Sequence, residues 1–231
     1  GEVSPVVSTG EPRVKGSKRR RHRSLTEAVA RNCSIHLVRG QATVLPSRAG
    51  MTVTNTNNAI INWRSFSIAA GRTVEFVQPN AQSQVLNRVT GADPSQIFGS
   101  LQSNGRVWLL NPNGVLFGKG SRIDVAGLVA STLNVNDADW LAGKYSLTNS
   151  LAGGDKSSVI NEGDLRTPLG GRIALIAGSG GVINRGTIDA PDGQLLLAAG
   201  ASVDLIDTGA PNTTLRVPSP RGTAENSATG S

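Results

Sequence analysis

Val159-Ile160-Asn161-Glu162-Gly163-Asp164-Leu165 is followed 23 residues later by Val182-Ile183-Asn184-Arg185-Gly186-Thr187-Ile188. Each copy leads into a second apolar run, Gly171-Arg172-Ile173-Ala174-Leu175-Ile176-Ala177-Gly178 after the first and Gly193-Gln194-Leu195-Leu196-Leu197-Ala198-Ala199-Gly200 after the second. A weaker copy, Leu110-Asn111-Pro112-Asn113-Gly114-Val115, ends in Ile123-Asp124-Val125-Ala126-Gly127. The unit is strand, Asn/Gly turn, strand, Gly turn, with no helix between. A unit of roughly 20–30 residues cannot bury its own apolar face and does so by stacking on its neighbours. The repeat therefore predicts an all-β chain wound as a right-handed parallel β-helix (a β-solenoid). Asn161 and Asn184 are then expected to stack in register at a turn, with their amides bonding along the axis. The competing reading of the two copies is a pair of Asn-Gly hairpins in a β-sandwich.

The pattern extends upstream. Met51-Thr52-Val53-Thr54, Ala59-Ile60-Ile61-Asn62-Trp63, Thr73-Val74-Glu75-Phe76-Val77 and Arg106-Val107-Trp108-Leu109-Leu110 are short apolar runs bounded by Gly, Asn, Pro or Asp. Such runs read as short strands. The clearest helix in this region is the short Ala138-Asp139-Trp140-Leu141-Ala142. The ends of a stack leave unpaired strand edges that invite aggregation unless covered. Residues 35–70 are therefore read as an N-terminal capping region, with Trp63 and Phe66 as its large fillers; the other reading of those two is an exposed binding patch. Small strands outside the coil are expected as well. Residues 1–34 read as a basic flexible arm, with one or two helical turns over residues 25–31. Residues 35–208 read as the β-helix, and residues 209–231 as a flexible polar tail.

Composition narrows the function classes. Aromatics make up 3% of the 231 residues, so the core must be built from Val, Ile, Leu and Ala. The 28 glycines show no three-residue period, which excludes collagen. The formal net charge is +7, but Lys18-Arg19-Arg20-Arg21-His22-Arg23 holds five of the basic residues and the rest is nearly balanced. No domain-wide nucleic-acid face is indicated, and aromatic interleaving for single strands is missing. The run reads as a solubilising arm, with binding to nucleic acid, anionic lipid or lipopolysaccharide phosphate as the alternative. The single Cys33 allows neither an intrachain disulfide nor a cysteine zinc cluster. No stretch approaches the roughly 18 apolar residues of a membrane helix. The start has no apolar signal region, so an exported form is expected to have lost its signal peptide or to carry it outside this sequence.

Catalysis finds little support in the sequence. The 16 acidic residues are scattered. The pairs Asp137/Asp139 and Asp204/Asp207 sit beside turns and read as solvated. His22 and His36 have no partner for a triad or metal site. Cys33 reads as an inert small residue. Gly118-Lys119-Gly120-Ser121 lacks the spacing of a phosphate loop. Asn32-Cys33-Ser34 and Asn212-Thr213-Thr214 match the N-glycosylation pattern but carry little weight. No catalytic, cofactor-binding or metal residues are expected, and the chain is not read as an enzyme; a polysaccharide-acting β-helix would need clustered carboxylates.

Asn111-Pro112-Asn113-Gly114-Val115-Leu116-Phe117-Gly118-Lys119-Gly120 resembles the signature of the filamentous haemagglutinin-type secretion (TPS) domain, which opens the exoproteins of two-partner secretion. Residues 58–68, Leu86-Asn87-Arg88-Val89-Thr90-Gly91, Pro94-Ser95-Gln96-Ile97-Phe98-Gly99 and Gly127-Leu128-Val129-Ala130-Ser131-Thr132 are similar to further parts of that family. Where some members carry Asn-Pro-Asn-Leu, this chain reads Gln78-Pro79-Asn80-Ala81, which places it with the adhesin-type branch. The basic arm at residues 13–23 has no counterpart in the family pattern.

The resemblance implies a module that crosses the periplasm unfolded or loosely folded. It also implies recognition by an outer-membrane TpsB-type β-barrel transporter and folding outside from this end. A C-terminal passenger would carry the adhesive, haemolytic or toxic activity. The expected location is secreted or on the surface of a Gram-negative bacterium, and the expected state is a monomer. Asn111, Pro112, Asn113 and Gly114 are the candidate recognition or structural turn: Pro112 fixes φ, Gly114 permits positive φ, and the Asn side chains hold the turn. Loss of Asn111 or Asn113 is expected to block export without abolishing stability. The alternative function is a self-contained cell-surface or glycan-binding adhesive module, against which the low aromatic content weighs.

Overall fold

The computed structural model describes residues 35–149, 156–207 and 213–227. The basic run, Cys33 and the helical turns expected over residues 25–31 lie outside them. The chain opens with β1 (Ile35–Arg39), β2 (Ala42–Pro46), β3 (Gly50–Asn55) and β4 (Ala59–Trp63). It continues through β5 (Thr73–Val77), β6 (Gln84–Val89), β7 (Ser95–Ile97), β8 (Ser100–Leu110), β9 (Val115–Phe117) and β10 (Arg122–Ser131). A helix, α1 (Asp137–Leu141), and β11 (Tyr145–Thr148) follow. The coil resumes with β12 (Val159–Asn161), β13 (Asp164–Arg166), β14 (Arg172–Ala177), β15 (Val182–Asn184), β16 (Thr187–Asp189) and β17 (Gln194–Asp207). Last come β18 (Thr213–Pro220) and β19 (Ala224–Asn226).

These strands form a parallel β-solenoid of about six turns. The front ladder is β4-β6-β8-β10-β14-β17, and the side ladder is β3-β5-β8-β10-β13-β16. The third ladder is β7-β9-β12-β15-β19. The repeat seen in the sequence is the rung: Val159 pairs with Val182 and Asp164 with Thr187.

Side-chain alternation explains the two kinds of strand. On the front ladder Ile61, Leu109, Ala130, Ile173 and Leu175 point into the coil. Their neighbours Ile60, Trp108, Leu110, Val129, Ala174 and Ile176 point out, into a second core. Trp140 of α1, Leu147 of β11 and Val203 and Leu205 of β17 cover that second core. A strand buried on both faces reads as an unbroken apolar run, as Ile173–Ala177 does. On the side ladder only one face is buried, so Ile123 and Val125 face the core while Arg122 and Asp124 are exposed.

The N-terminal end is covered by antiparallel strands, β1 on β4 and β2 on β3. Trp63 and Phe66 are buried, packed edge to face at 5.2 Å, so neither forms a surface patch. The Trp63 Nε1–H donates to Asn87 Oδ1 at 2.9 Å.

Among the described residues the coil is left twice. The first excursion carries α1, whose N-cap Asn136 accepts from the Asp139 N–H, and β11. Arg88 ties it to the front ladder, donating to Asn134 Oδ1 (2.7 Å), Val135 O (2.8 Å) and Asp137 Oδ1 (2.8 Å). The second excursion is β18, antiparallel to β17. The chain then re-enters the stack as β19, parallel to β15. The polar tail expected from residue 209 is thus corrected: residues 213–227 include two paired strands. Polar residues mask them: in β18 only Leu215 and Val217 alternate toward the second core, and β19 is exposed throughout.

Candidate functional site

The Asn111–Gly114 turn is the corner between the front ladder and the third ladder, at the junction of β8 and β9. Asn111 is completely buried. Its Nδ2 donates to Asp93 O and to Ser95 Oγ, each at 3.0 Å. Its Oδ1 accepts from the Asn113 N–H (2.9 Å) and Asn113 Nδ2 (3.2 Å). Asn113 Nδ2 also donates to Gly91 O at 2.8 Å. The side chains therefore clamp this corner to the preceding one, residues 91–95. The backbone reaches the other way: the Asn111 N–H donates to Ser131 O and the Val115 N–H to Ser158 O.

Gly114 has φ of 116°, a region that strains any L side chain. An added Cβ would also lie 3.3 Å from Ser158 O. Pro112 is half-buried at the outer side of the turn. The Gln78-Pro79-Asn80-Ala81 stretch, which departs from the family's second motif, still builds a side-chain-held turn. Asn80 Oδ1 accepts from the Gln82 and Ser83 N–H groups at 3.0 and 2.9 Å.

On the next rung, at the far end of the third ladder, Asn161 Nδ2 donates to Asn184 Oδ1, and Asn184 Nδ2 donates to Asn226 Oδ1, each at 2.8 Å. Each Oδ1 also caps its own turn, from the Gly163 N–H at 3.1 Å and the Gly186 N–H at 3.3 Å. Sequence reasoning missed Asn226, the third member, because 42 residues separate it from Asn184 instead of 23. The inserted β18 excursion breaks the period.

Other charged residues among the described ones are engaged locally. Asp137 pairs with Arg88 at 2.8 Å, and Asp139 accepts from the helix cap Asn136. Asp204 accepts from Ser146 Oγ. His36 lies exposed on β1. Among the described residues no group of three or more His, Cys, Asp or Glu could hold a metal ion. Nor is any helix among them long and apolar enough to cross a membrane.

A capped β-solenoid with an Asn-Pro-Asn-Gly corner clamped between rungs defines the class of module that opens secreted bacterial exoproteins. The chain belongs to the TPS secretion domain family, whose model matches residues 30–230. It is 37% identical over 171 residues to the heme/hemopexin-binding protein of Haemophilus influenzae strain Rd, covering 71% of this chain and 18% of that protein. A second Haemophilus influenzae heme/hemopexin-binding protein is 42% identical over 93 residues, 40% of this chain and 10% of the relative. The crystal structure of the HMW1 secretion domain from Haemophilus influenzae superposes with a TM-score of 0.71 at 30% identity. That match covers 82% of this chain and 49% of the other. The chain thus spans less than a fifth of the length of its curated relatives. Proteins with this domain are secreted by two-partner systems of Gram-negative bacteria, and the family implies a TpsB transporter and a passenger exoprotein.

Proposed function

We propose that this domain exports an adhesin-type exoprotein, that an outer-membrane β-barrel transporter recognises it before it folds, and that the Asn111–Gly114 corner then locks the emerging coil. The observation that carries the reading is the burial of Asn111, whose amide donor and acceptor are both spent inside the solenoid. A folded domain offers a transporter none of that side chain. An unfolded chain offers all of it, in an extended segment suited to strand-to-strand capture. Outside the cell, rung-by-rung stacking needs only local contacts, which suits vectorial emergence.

Loss of Asn111 is expected to lower the stability of the domain without abolishing it, because the amide is buried and bonded at both ends. Asn113, half-buried, is the gentler substitution. The test is to immobilise the transporter's periplasmic domains and present this domain either folded or freshly diluted from urea. Recognition before folding predicts at least tenfold tighter capture of the unfolded chain, and equal capture of the folded domain contradicts it. The passenger is a separate matter. Adhesion is the proposed activity, and heme or hemopexin binding, the named property of two relatives, is the competitor. Binding of the full-length exoprotein to hemin-agarose, compared with binding to host cells, separates the two.

A further inference from the structure

The outer face of the side ladder is open and patterned in charge. On the front ladder α1, β11 and β17 cover the outward side chains. On the side ladder Arg122, Asp124 and Arg166 are exposed and Asp164 is half-buried. Arg122 pairs in register with Asp164, and Asp124 with Arg166. Residues two apart on a strand share a face, so the four mark a rectangle about 4.8 Å along the coil axis and about 6.6 Å along the strands. Positive and negative corners alternate around it. A cleft of about 410 Å³ lies among them. None of the four makes a salt bridge or a side-chain hydrogen bond among the described residues, so all four charges are available to a partner.

That pattern discriminates among partners. A uniformly acidic or basic ligand meets as much repulsion as attraction there. A second copy of the same face does not. Turned over about a two-fold axis parallel to the coil and midway between the two rows, it brings Arg122 opposite Asp124 and Asp164 opposite Arg166. A two-fold interface makes each contact twice, so four ion pairs form and no like charges meet.

The flanking rungs follow the same rule. Thr73 and Glu75 stand in register with Ser100 and Gln102, which stand in register with Arg122 and Asp124. At the other end Thr187 and Asp189 stand in register with Asp164 and Arg166. The turned copy sets Thr73 against Glu75, Ser100 against Gln102 and Thr187 against Asp189, each a hydroxyl donor facing an amide or carboxylate acceptor. Five consecutive rungs therefore match. A two-fold along the strands, which runs the coils head to tail, sets Arg122 against Asp164 but matches only the four rungs from β8 to β16 and leaves Glu75 outside. The contact is about 24 Å long and two side chains wide, well short of the roughly 800 Å² that each partner of a stable complex buries. Exposed ion pairs add little affinity each; their matching confers selectivity, and salt weakens it.

We propose that the side ladder is a self-recognition surface on which two copies of this domain pair weakly, side by side, with their coils running the same way. This departs from the monomer expected from the sequence and stands apart from how the transporter recognises the chain. The test is sedimentation equilibrium of the 231-residue chain at physiological salt, up to about 1 mM, where a weak contact is populated. The wild type is expected to dimerise with rising concentration. Arg122→Glu and Asp124→Arg each set like charges against one another in two contacts, and each is expected to weaken dimerisation at least tenfold. Both positions are exposed, so urea midpoints should stay at the wild-type value. An equimolar mixture of the two single variants opposes unlike charges again and is expected to form a heterodimer about as well as the wild type pairs with itself. The double variant, whose net charge equals the wild type's, is expected to recover self-pairing. Head-to-tail pairing predicts the reverse, because Arg122→Glu would then face Asp164 in both the mixture and the double variant. A wild type that stays monomeric at every concentration, single variants that dimerise as the wild type does, or a mixture and a double variant that stay dissociated each overturn the proposal.

Discussion

Replacing Asn111 with Ala removes both ends of a buried amide. Ser95, itself fully buried, loses the donor to its Oγ, and the Asn113 N–H loses the acceptor that holds it. Each unpaired buried group costs about 1–3 kcal/mol. The Asp93 carbonyl also loses a donor, but Asp93 is exposed and water can replace it. The expected loss is therefore about 2–6 kcal/mol. Asn113→Ala removes bonds from a half-buried side chain, chiefly the one to Gly91 O. That substitution is expected to cost about 0.5–1.5 kcal/mol, the net value of an ordinary hydrogen bond. Urea unfolding followed by tryptophan fluorescence measures both. With m near 1–3 kcal/mol per molar, as in small proteins, the Asn111→Ala midpoint should fall by about 0.7 M or more at unchanged m. An Asn111→Ala domain within about 0.5 kcal/mol of wild type, or an Asn113→Ala domain that is the less stable of the two, refutes the clamped-corner reasoning.

Asn184→Ala interrupts the amide ladder between Asn161 and Asn226; it should cost about 1–3 kcal/mol and speed amide exchange at Gly163 and Gly186, whereas uniform exchange across all rungs would argue against a ladder role. Gly118→Ala places a Cβ against the Phe98 ring, whose Cε1 would be 2.2 Å away; a loss of about 1–3 kcal/mol from overpacking should largely vanish in the Phe98→Ala background, and additivity in the double-mutant cycle would contradict the contact. Arg88→Ala removes the charged hydrogen bonds that hold the first excursion; a cost of about 1.5–3 kcal/mol with faster proteolysis confined to residues 133–148 is expected, and protection equal to wild type there would show that α1 docks through the Trp140 cluster alone.

The coil was readable because its period is written in residues that only stacking explains. The 23-residue offset between Asn161 and Asn184 sets the rung length, and the registers of β12 with β15 and β13 with β16 reproduce it. Trp63 and Phe66 were assignable to the capping end because a chain so poor in aromatics has few large fillers. The second core was not readable. Leu86, Trp108 and Ile176 look like ordinary core positions, and only the fold shows that α1 and β11 cover them from outside. The β18–β19 return was hidden for another reason: the apolar alternation in β18 is only Leu215 and Val217, flanked by Thr, Arg, Pro and Ser and too short to stand out. At the corner the inward aim of both Asn side chains depends on residues 91–95, nearly one rung away, which the sequence alone does not place beside them.

Export is the most direct test of the central claim. The domain, placed behind a signal peptide, is co-expressed with and without its cognate outer-membrane transporter, and medium and periplasm are assayed for the protein. A secretion domain recognised by that partner must reach the medium only when the transporter is present. Equal amounts in the medium with and without the transporter would contradict the assignment of this chain to transporter-dependent export.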